Sequence, residues 1–398
     1  MQTENETKEH RFKFLSFPEF YDFNLVAAIL LLVSFGLVML YSTSSYIPDS
    51  NYFIKQAVIS FGGLLIAMVI SRLDYHCLFY ISPVIYMVSV ILMVLVQTPL
   101  GVEVNGARRW LRFGTSALQF QPSELAKIAV ITLIPALILK FGKKLKEKRY
   151  QALLLLVGVF LAFCVYVFTE NLSTALIVAG ITVLLYFMAY PKTKKMLMTI
   201  LLLGILAAAG LYFLNTALGD QIHKVDNYQI RRILTWINPE EGADKGSYQV
   251  MQGLYAIGSG GFLGKGLGNS VQKLGAVPEA HNDMIFAIIC EELGIFGGIL
   301  LLGLFAYLLY RLFWISVHAP DLYGSLLTAG IFFHVAMQVT LNISVVLNLI
   351  PTTGITLPFI SYGGTSSVFL MMEMGMALSV SNQIRGKRKK VREKSVDK

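Results

Sequence analysis

Four carboxylates and a histidine crowd into one stretch of the chain, Gly275–Gly294, which reads GAVPEAHNDMIFAIICEELG. Glu279, His281 and Asp283 close a long polar segment, and the residue after Asp283 opens an apolar run of membrane-spanning length. Glu291 and Glu292 lie inside that run. On one continuous helix rising ~1.5 Å per residue, they would sit about 12 to 14 Å along from Asp283. Ionisable groups at such depth are costly, and they usually line a polar cavity or an ion path rather than face lipid. The pattern predicts acidic chemistry at the outer edge of a membrane.

Other polar constellations invite both structural and chemical readings. Glu124 and Lys127 stand three residues apart at the start of an earlier apolar run, hence on one helix face. Such a pair can neutralise itself, Lys127 can snorkel outward, or Lys127 can offer a cation to a substrate's anionic group while Glu124 holds it in place. The default for intramembrane ionisable residues favours the last. Arg108, Arg109 and Arg112 crowd one outer connection beside Trp110. Two readings stand level there: lipid headgroup contact, or a phosphate site suited to the planar guanidinium fork. His334, Gln338 and Asn342 recur every four residues, a stripe read first as interhelical hydrogen bonding. His76, His223 and His318 show no partner pattern and receive no role. The glycine-rich GSGGFLGKGLG, Gly258–Gly268, fails as a nucleotide loop, because Ser259 replaces the required first glycine and Gly266 replaces the magnesium-binding hydroxyl residue. It is read as a tight backbone turn.

The elements that must position these groups are helices in a bilayer. Hydrophobic residues make up 55% of the chain and charged residues only 14%, with a mean hydropathy of +0.63. Apolar runs of about 20 residues recur throughout, the length that crosses ~30 Å of hydrocarbon. Continuous runs exclude the short alternating strands of a barrel. The expected fold is an all-α integral membrane protein of ten transmembrane helices, near 24–44, 54–71, 77–97, 123–140, 151–169, 173–190, 196–216, 284–314, 322–347 and 363–382. The eighth is too long for one straight span and must be tilted, broken or protruding. No separate soluble domain is expected within 1–398.

With ten spans, both termini share a side, and about two thirds of the 33 Lys and Arg residues fall on that side, which marks it as cytoplasmic. Residues 1–22 then form a cytoplasmic tail ahead of a retained first helix, and 383–398 a basic cytoplasmic tail. The net charge of +9 reads as a topology signal with attraction to membrane lipids, not as nucleic-acid binding. Cys77, Cys164 and Cys290 lack disulfide or zinc spacing. Three outer segments stand out: 98–122; the large extracellular loop 217–283 between helices seven and eight; and the uncharged 348–365, expected to re-enter the membrane. Within the large loop, Tyr228–Trp236 has the spacing of an amphipathic interfacial helix.

Taken in order, NGARRW (105–110), QPSELAK (121–127), YQIRR (228–232), YQVMQGLYAIGSGGFLGKGLG (248–268), PEAHNDMIFAIICEELG (278–294) and PTTGITLPFISYGGTS (351–366) resemble the SEDS family (shape, elongation, division and sporulation), typified by FtsW, RodA and SpoVE. The PEAHND and LPFISYGG forms are more similar to the FtsW and SpoVE branch. Asn282 stands where the family often has Thr, and TENLSTA (169–175) replaces a more usual acidic and glycine-containing version, with Glu170 close by.

The resemblance implies a peptidoglycan glycosyltransferase in cell division or cell-shape maintenance, polymerising lipid II in partnership with a class B penicillin-binding protein. It implies Asp283 as the essential carboxylate, with Arg109, Glu124 and Lys127 around the same outer cavity. Arg231 and Arg232 join the candidates for the departing pyrophosphate, and Glu279 and His281 for the substrate. A divalent cation, Mg or Mn, is compatible with pyrophosphate chemistry, although the sequence contains no dedicated cage. The rival functions are a lipid II flippase, since midplane polar groups and broken helices also mark transporters, and a scaffold, which would need neither Asp283 nor Lys127.

Overall fold

The computed structural model of the protein describes residues 22–45, 51–104, 107–112, 119–190, 198, 216, 232–233, 236–237, 245–275 and 277–396. Ten α-helices lie among them: α1 Phe23–Ser44, α2 Tyr52–Arg72, α3 His76–Leu95, α4 Pro122–Phe141, α5 Lys148–Thr169, α6 Leu172–Ala189, α7 Lys245–Gly260, α8 Ile285–His318, α9 Leu322–Val346 and α10 Thr365–Val396. Eight of these, all but α7 and α10, are long and apolar enough to cross a membrane. Eight of the ten expected spans coincide with these eight helices to within a few residues, and the last, 363–382, falls almost wholly within the longer α10. The expected seventh, 196–216, lies almost wholly outside the described residues, as does most of the Tyr228–Trp236 segment.

Local chemistry sets the ends. Asp22 caps α1 by accepting from the Leu25 amide at 3.1 Å, Asn171 caps α6 through Thr174, and Asp321 caps α9 through Gly324. Pro122 opens α4, where its missing N–H is harmless, and Glu124 follows in the first turn near the positive helix end. Gly36 of α1 faces the carbonyl of Phe359, where a Cβ would stand 2.5 Å from that oxygen. Small residues of this kind let backbones approach without a hydrophobic driving force between helices.

The outer connection 98–122 is not plain loop. Gly101–Val104, Ala107–Arg112 and Gln119–Phe120 (β1, β2, β3) form a small antiparallel sheet in the order β1-β2-β3. Its charged residues break hydrophobic periodicity, so the helical spacing that marks the spans carries no signal of it.

Of the three outcomes that the length of the eighth run allows, the helix takes the break. Gly294 has φ 69° and ψ −167°, so α8 consists of a half-helix, 285–293, and a second helix after the break. Ser42 in the last turn of α1 contacts Glu292, and Asn342 in the last turns of α9 contacts Asp283. The half-helix therefore runs between the ends of α1 and α9, across one end of the bundle. Glu291 and Glu292 do not line an ion path. Both are fully buried, and the glycine-rich turn after α7 folds onto them. That turn carries positive φ at Gly261, Gly264, Gly266 and Gly268, as a tight turn requires.

At the opposite end, His76 bridges Asp74 at 2.7 Å and Asp321 at 3.0 Å, tying the α2–α3 corner to the α8–α9 corner. Gln383 of α10 donates to Asp74 at 2.9 Å, and Arg311 pairs with Asp22. Asp74 is a local partner two residues back, but Asp321 comes from a turn 245 residues away, which no local pattern announces. His318 stacks on Trp314, and His223 lies outside the described residues.

The turn over the helix break generates a stability prediction. A Cβ on Gly264 would stand 2.2 Å from the Glu292 carbonyl oxygen at φ +77°, whereas one on Gly268, at φ +85°, would meet nothing within 4 Å. Gly268→Ala is expected to lose only the backbone cost of about 1–2 kcal/mol. Gly264→Ala must also displace backbone, so its melting temperature in detergent should fall clearly further. Equal losses would mean that the turn does not pack on the break as described.

Candidate active site

Asp283 sits immediately before the half-helix, at the end of the bundle that also gathers the end of α1, the β-sheet, the starts of α2, α4 and α10, and the segment 348–364. Two neighbours fix it. The Gln249 side chain of α7 donates to Oδ1 at 3.0 Å, and the Asn342 side chain of α9 donates to the Asp283 carbonyl at 2.9 Å. Its rim remains accessible, yet protein encloses the carboxyl. Loss of water, then the negative charge of Glu279, push its pKa from 3.8 up to about 7, against the opposing pull of Arg232 and the Gln249 hydrogen bond.

Glu279 and His281 reach the same place from the preceding turn. Glu279 adopts φ 53° and accepts from the Asn282 side chain, so Asn282 has a task of its own beside Asp283. The His281 ring stacks on Tyr52 with centroids 4.4 Å apart, and its carbonyl accepts from the Tyr362 amide at 3.0 Å. Burial lowers the His281 pKa, opposed by Glu279 3.9 Å away, so the imidazole is neutral near pH 7. Arg232 donates to the Thr352 carbonyl at 3.2 Å, which ties the large connection to the 348–364 segment. Arg231 lies outside the described residues.

A second polar group lies one step along α9. Lys127 is 2.9 Å from Glu124 and both are buried; Lys127 also donates to Gln338 Oε1 at 3.4 Å. Gln338 donates onward to the Thr356 carbonyl at 3.0 Å, and Asn342 to the Ile355 carbonyl at 2.7 Å. The α9 stripe thus does hold the segment 348–364 by hydrogen bonds, and it also connects the Asp283 group to Glu124–Lys127. One turn further in, His334 Nδ1 meets Glu373 Oε2 at 2.6 Å. A small cavity lies here, where Glu124, His334 and Gln338 meet apolar Leu357, Phe359 and Leu370.

Of the expected site residues, Asp283, Glu279, His281 and Arg232 come together, and Glu124–Lys127 joins them through α9. Arg109 sits on β2, where it donates to the Glu170 carbonyl at 3.2 Å, at the left-handed corner between α5 and α6. Four participants escaped sequence reasoning. Gln249 sits in a motif but carries no charge to flag it. Glu373 is an ionisable residue within an expected span, a signal that was available. The counter-ions of Glu291 and Glu292, namely Lys265 and Lys273, looked like ordinary loop lysines. Among the described residues no three His, Cys, Asp or Glu side chains converge as metal ligands.

Comparison with known proteins agrees with this architecture. Residues 23–386 match the family model described as cell cycle protein FtsW, RodA and SpoVE. Stage V sporulation protein E of Bacillus subtilis is 38% identical over 371 residues, covering 92% of this chain and 98% of that protein. The probable peptidoglycan glycosyltransferase FtsW of Bacillus subtilis is 34% identical, covering 91% and 90%. Among solved structures, a chain from a peptidoglycan synthase complex superposes with a TM-score of 0.75 at 29% identity, covering 92% of this chain and 98% of that one. The rod-shape-determining protein RodA of Thermus thermophilus gives 0.63 at 29% identity, with 90% and 96% covered. The family model and the relatives, matched over nearly the whole length, settle it: the chain belongs to the FtsW, RodA and SpoVE family of multi-pass membrane proteins.

Proposed function

We infer that this chain is a peptidoglycan glycosyltransferase of the bacterial cell membrane, joining lipid II units into β-1,4 glycan, with Asp283 as general base. The relatives named above support the activity, and one observation supports the base. Asp283 is a carboxyl held between Gln249, Glu279 and Arg232 whose pKa stands at about 7. A general base works best with its pKa near the operating pH, and a positioned one contributes about 100- to 10,000-fold in rate. An ordinary aspartate near 3.9 would bind the proton too weakly.

In this reading the Asp283 end faces outward, because Lys and Arg concentrate at the other. Residues 196–216 supply the remaining span, 217–283 lies outside, and the tails 1–22 and 383–398 are cytoplasmic, all parts of one polytopic domain. Asp283 takes the proton of the acceptor GlcNAc 4-hydroxyl. The oxygen forms its bond to the anomeric carbon of the donor MurNAc while the bond to undecaprenyl pyrophosphate breaks with its electron pair. Attack from the opposite face turns the α-linked donor into a β-linked product. Charge grows on the departing pyrophosphate, and Arg232, Arg231, Lys127 and Arg109 are the cations assigned to it.

Glu124 holds the Lys127 ammonium toward Gln338 and the cavity, which orients its donors before substrate arrives. Neutral His281, stacked on Tyr52, presents a ring and a hydrogen-bonding nitrogen rather than a charge. A divalent cation carried in on the pyrophosphate would keep most of its own oxygen ligands. A class B penicillin-binding protein is the expected partner, in keeping with the synthase complex that the fold resembles.

Purified full-length chain, with its partner and labelled lipid II, tests the activity. Polymer should form with wild type and fall at least about 100-fold with Asp283→Asn. Transbilayer movement of lipid II without polymer would support a flippase and contradict the assignment. The pH profile gives a second test. A base must be ionised, so kcat/KM should rise with pH through a midpoint near 7 and fall below it. Glu279 raises the Asp283 pKa, so Glu279→Gln should move this midpoint to lower pH. A midpoint that stays put would remove Glu279 from the Asp283 environment.

A further inference from the structure

We propose that Glu292, Lys273 and Ser42 are positioning residues for Asp283, pinning the far end of the half-helix that follows it. This inference rests on Asp283 being the base, and the geometry carries it from there. The half-helix 285–293 spans roughly 12 Å, short enough to behave as one rigid rod. Gly294 interrupts it, so the long helix beyond cannot hold its direction. Its orientation must come from sideways anchors at each end.

At the Asp283 end the anchors are Gln249 and Asn342. At the other end, Glu292 accepts from Ser42 Oγ of α1 with both oxygens at 2.7 Å, from Lys273 Nζ at 2.7 Å and from the Gly268 amide at 3.0 Å. Lys273 also donates to Ser42 Oγ at 2.9 Å and to the Gly268 carbonyl at 2.7 Å. Glu291 beside it accepts from Lys265 at 2.6 Å, from the Ser270 hydroxyl and from the amides of Val271 and Gln272. Both carboxylates are fully buried, and Lys273 is nearly so. Two adjacent enclosed charges, each answered by its own lysine and by loop amides, define a position in three directions as an apolar contact cannot. The same lysine stands six residues before Glu279, so one ion pair sets the level of both the rod and the turn that delivers the acidic cluster. A shift of about 1 Å at the reacting atoms can lower a rate roughly 100-fold.

Support of the fold alone and positioning of Asp283 make different predictions. Removing both charges of a buried pair is often neutral for folding, whereas removing one leaves the other stranded. The double variant Lys273→Met with Glu292→Met, made in the full-length chain with its partner, should therefore stay folded but lose its anchor. Expected is a fall in kcat of about 100-fold with KM changed less than about threefold, and an acid limb of the pH profile displaced from that of wild type. Ser42→Ala, the milder change, should lower kcat several-fold and move the limb the same way, and Ser42→Thr, which keeps the hydroxyl, should restore both. Folded variants with wild-type kcat and an unmoved limb would overturn the proposal; if the double variant fails to fold, Ser42→Ala alone decides. Asp283→Asn is assayed alongside. Wild-type activity in that variant would sink the base assignment itself, which separates the two failures.

Discussion

The active end of this bundle is organised by the enclosure of two carboxylates where a helix breaks. Glu291 and Glu292 sit at zero exposure beside Gly294. An isolated ion there carries a desolvation penalty of several kcal/mol, so each needs a cation and further donors. The glycine-rich turn after α7 is shaped to supply them. Positive φ at four of its glycines folds it tightly enough for Lys265, Lys273 and successive amides to reach the acids. Two basic residues on the face where positive charge is scarce are thereby accounted for as internal counter-ions.

From that junction the site is assembled by polar groups spaced one turn apart on α9. Asn342 holds the Asp283 backbone and the segment 348–364, Gln338 holds Lys127 and the same segment, and His334 holds Glu373. In a bilayer, small residues and hydrogen bonds replace the hydrophobic effect between helices, so a stripe that binds helices together is also a natural lining for a cavity. The structural and functional readings of this stripe are therefore compatible. The segment 348–364, uncharged and proline-bearing, can lie against α1 at Gly36 because carbonyls of Ile355 and Thr356 find partners on α9.

Much of the fold was legible because bilayer thickness dictates the length of apolar runs. Helices α1, α4 and α9 begin within a residue or two of their expected starts, each marked by Asp22, Pro122 or Asp321. Asp283 was legible from its place between a polar loop and an apolar run. The break at Gly294 was foreshadowed only by excess length. What stayed hidden depends on distant partners. Ser42 and Glu292 are 250 residues apart, and His76 and Asp321 are 245 apart. Periodicity reports which face of an element is buried, not which side chain of another element it meets. Gln249 was invisible for the same reason, and so was the contact of Arg109 with the Glu170 carbonyl, 61 residues away.

The account stands on Asp283 carrying its proton until near neutrality and then acting as the base. The most direct measurement is the carboxyl infrared band of the full-length protein from about pH 5 to 9, taken as the difference between wild type and Asp283→Asn beside the polymerisation rate. The account predicts a single band that titrates near pH 7 with the same midpoint as the rate. A carboxyl already ionised at the acid end of that range, while the rate still climbs with pH, would contradict it.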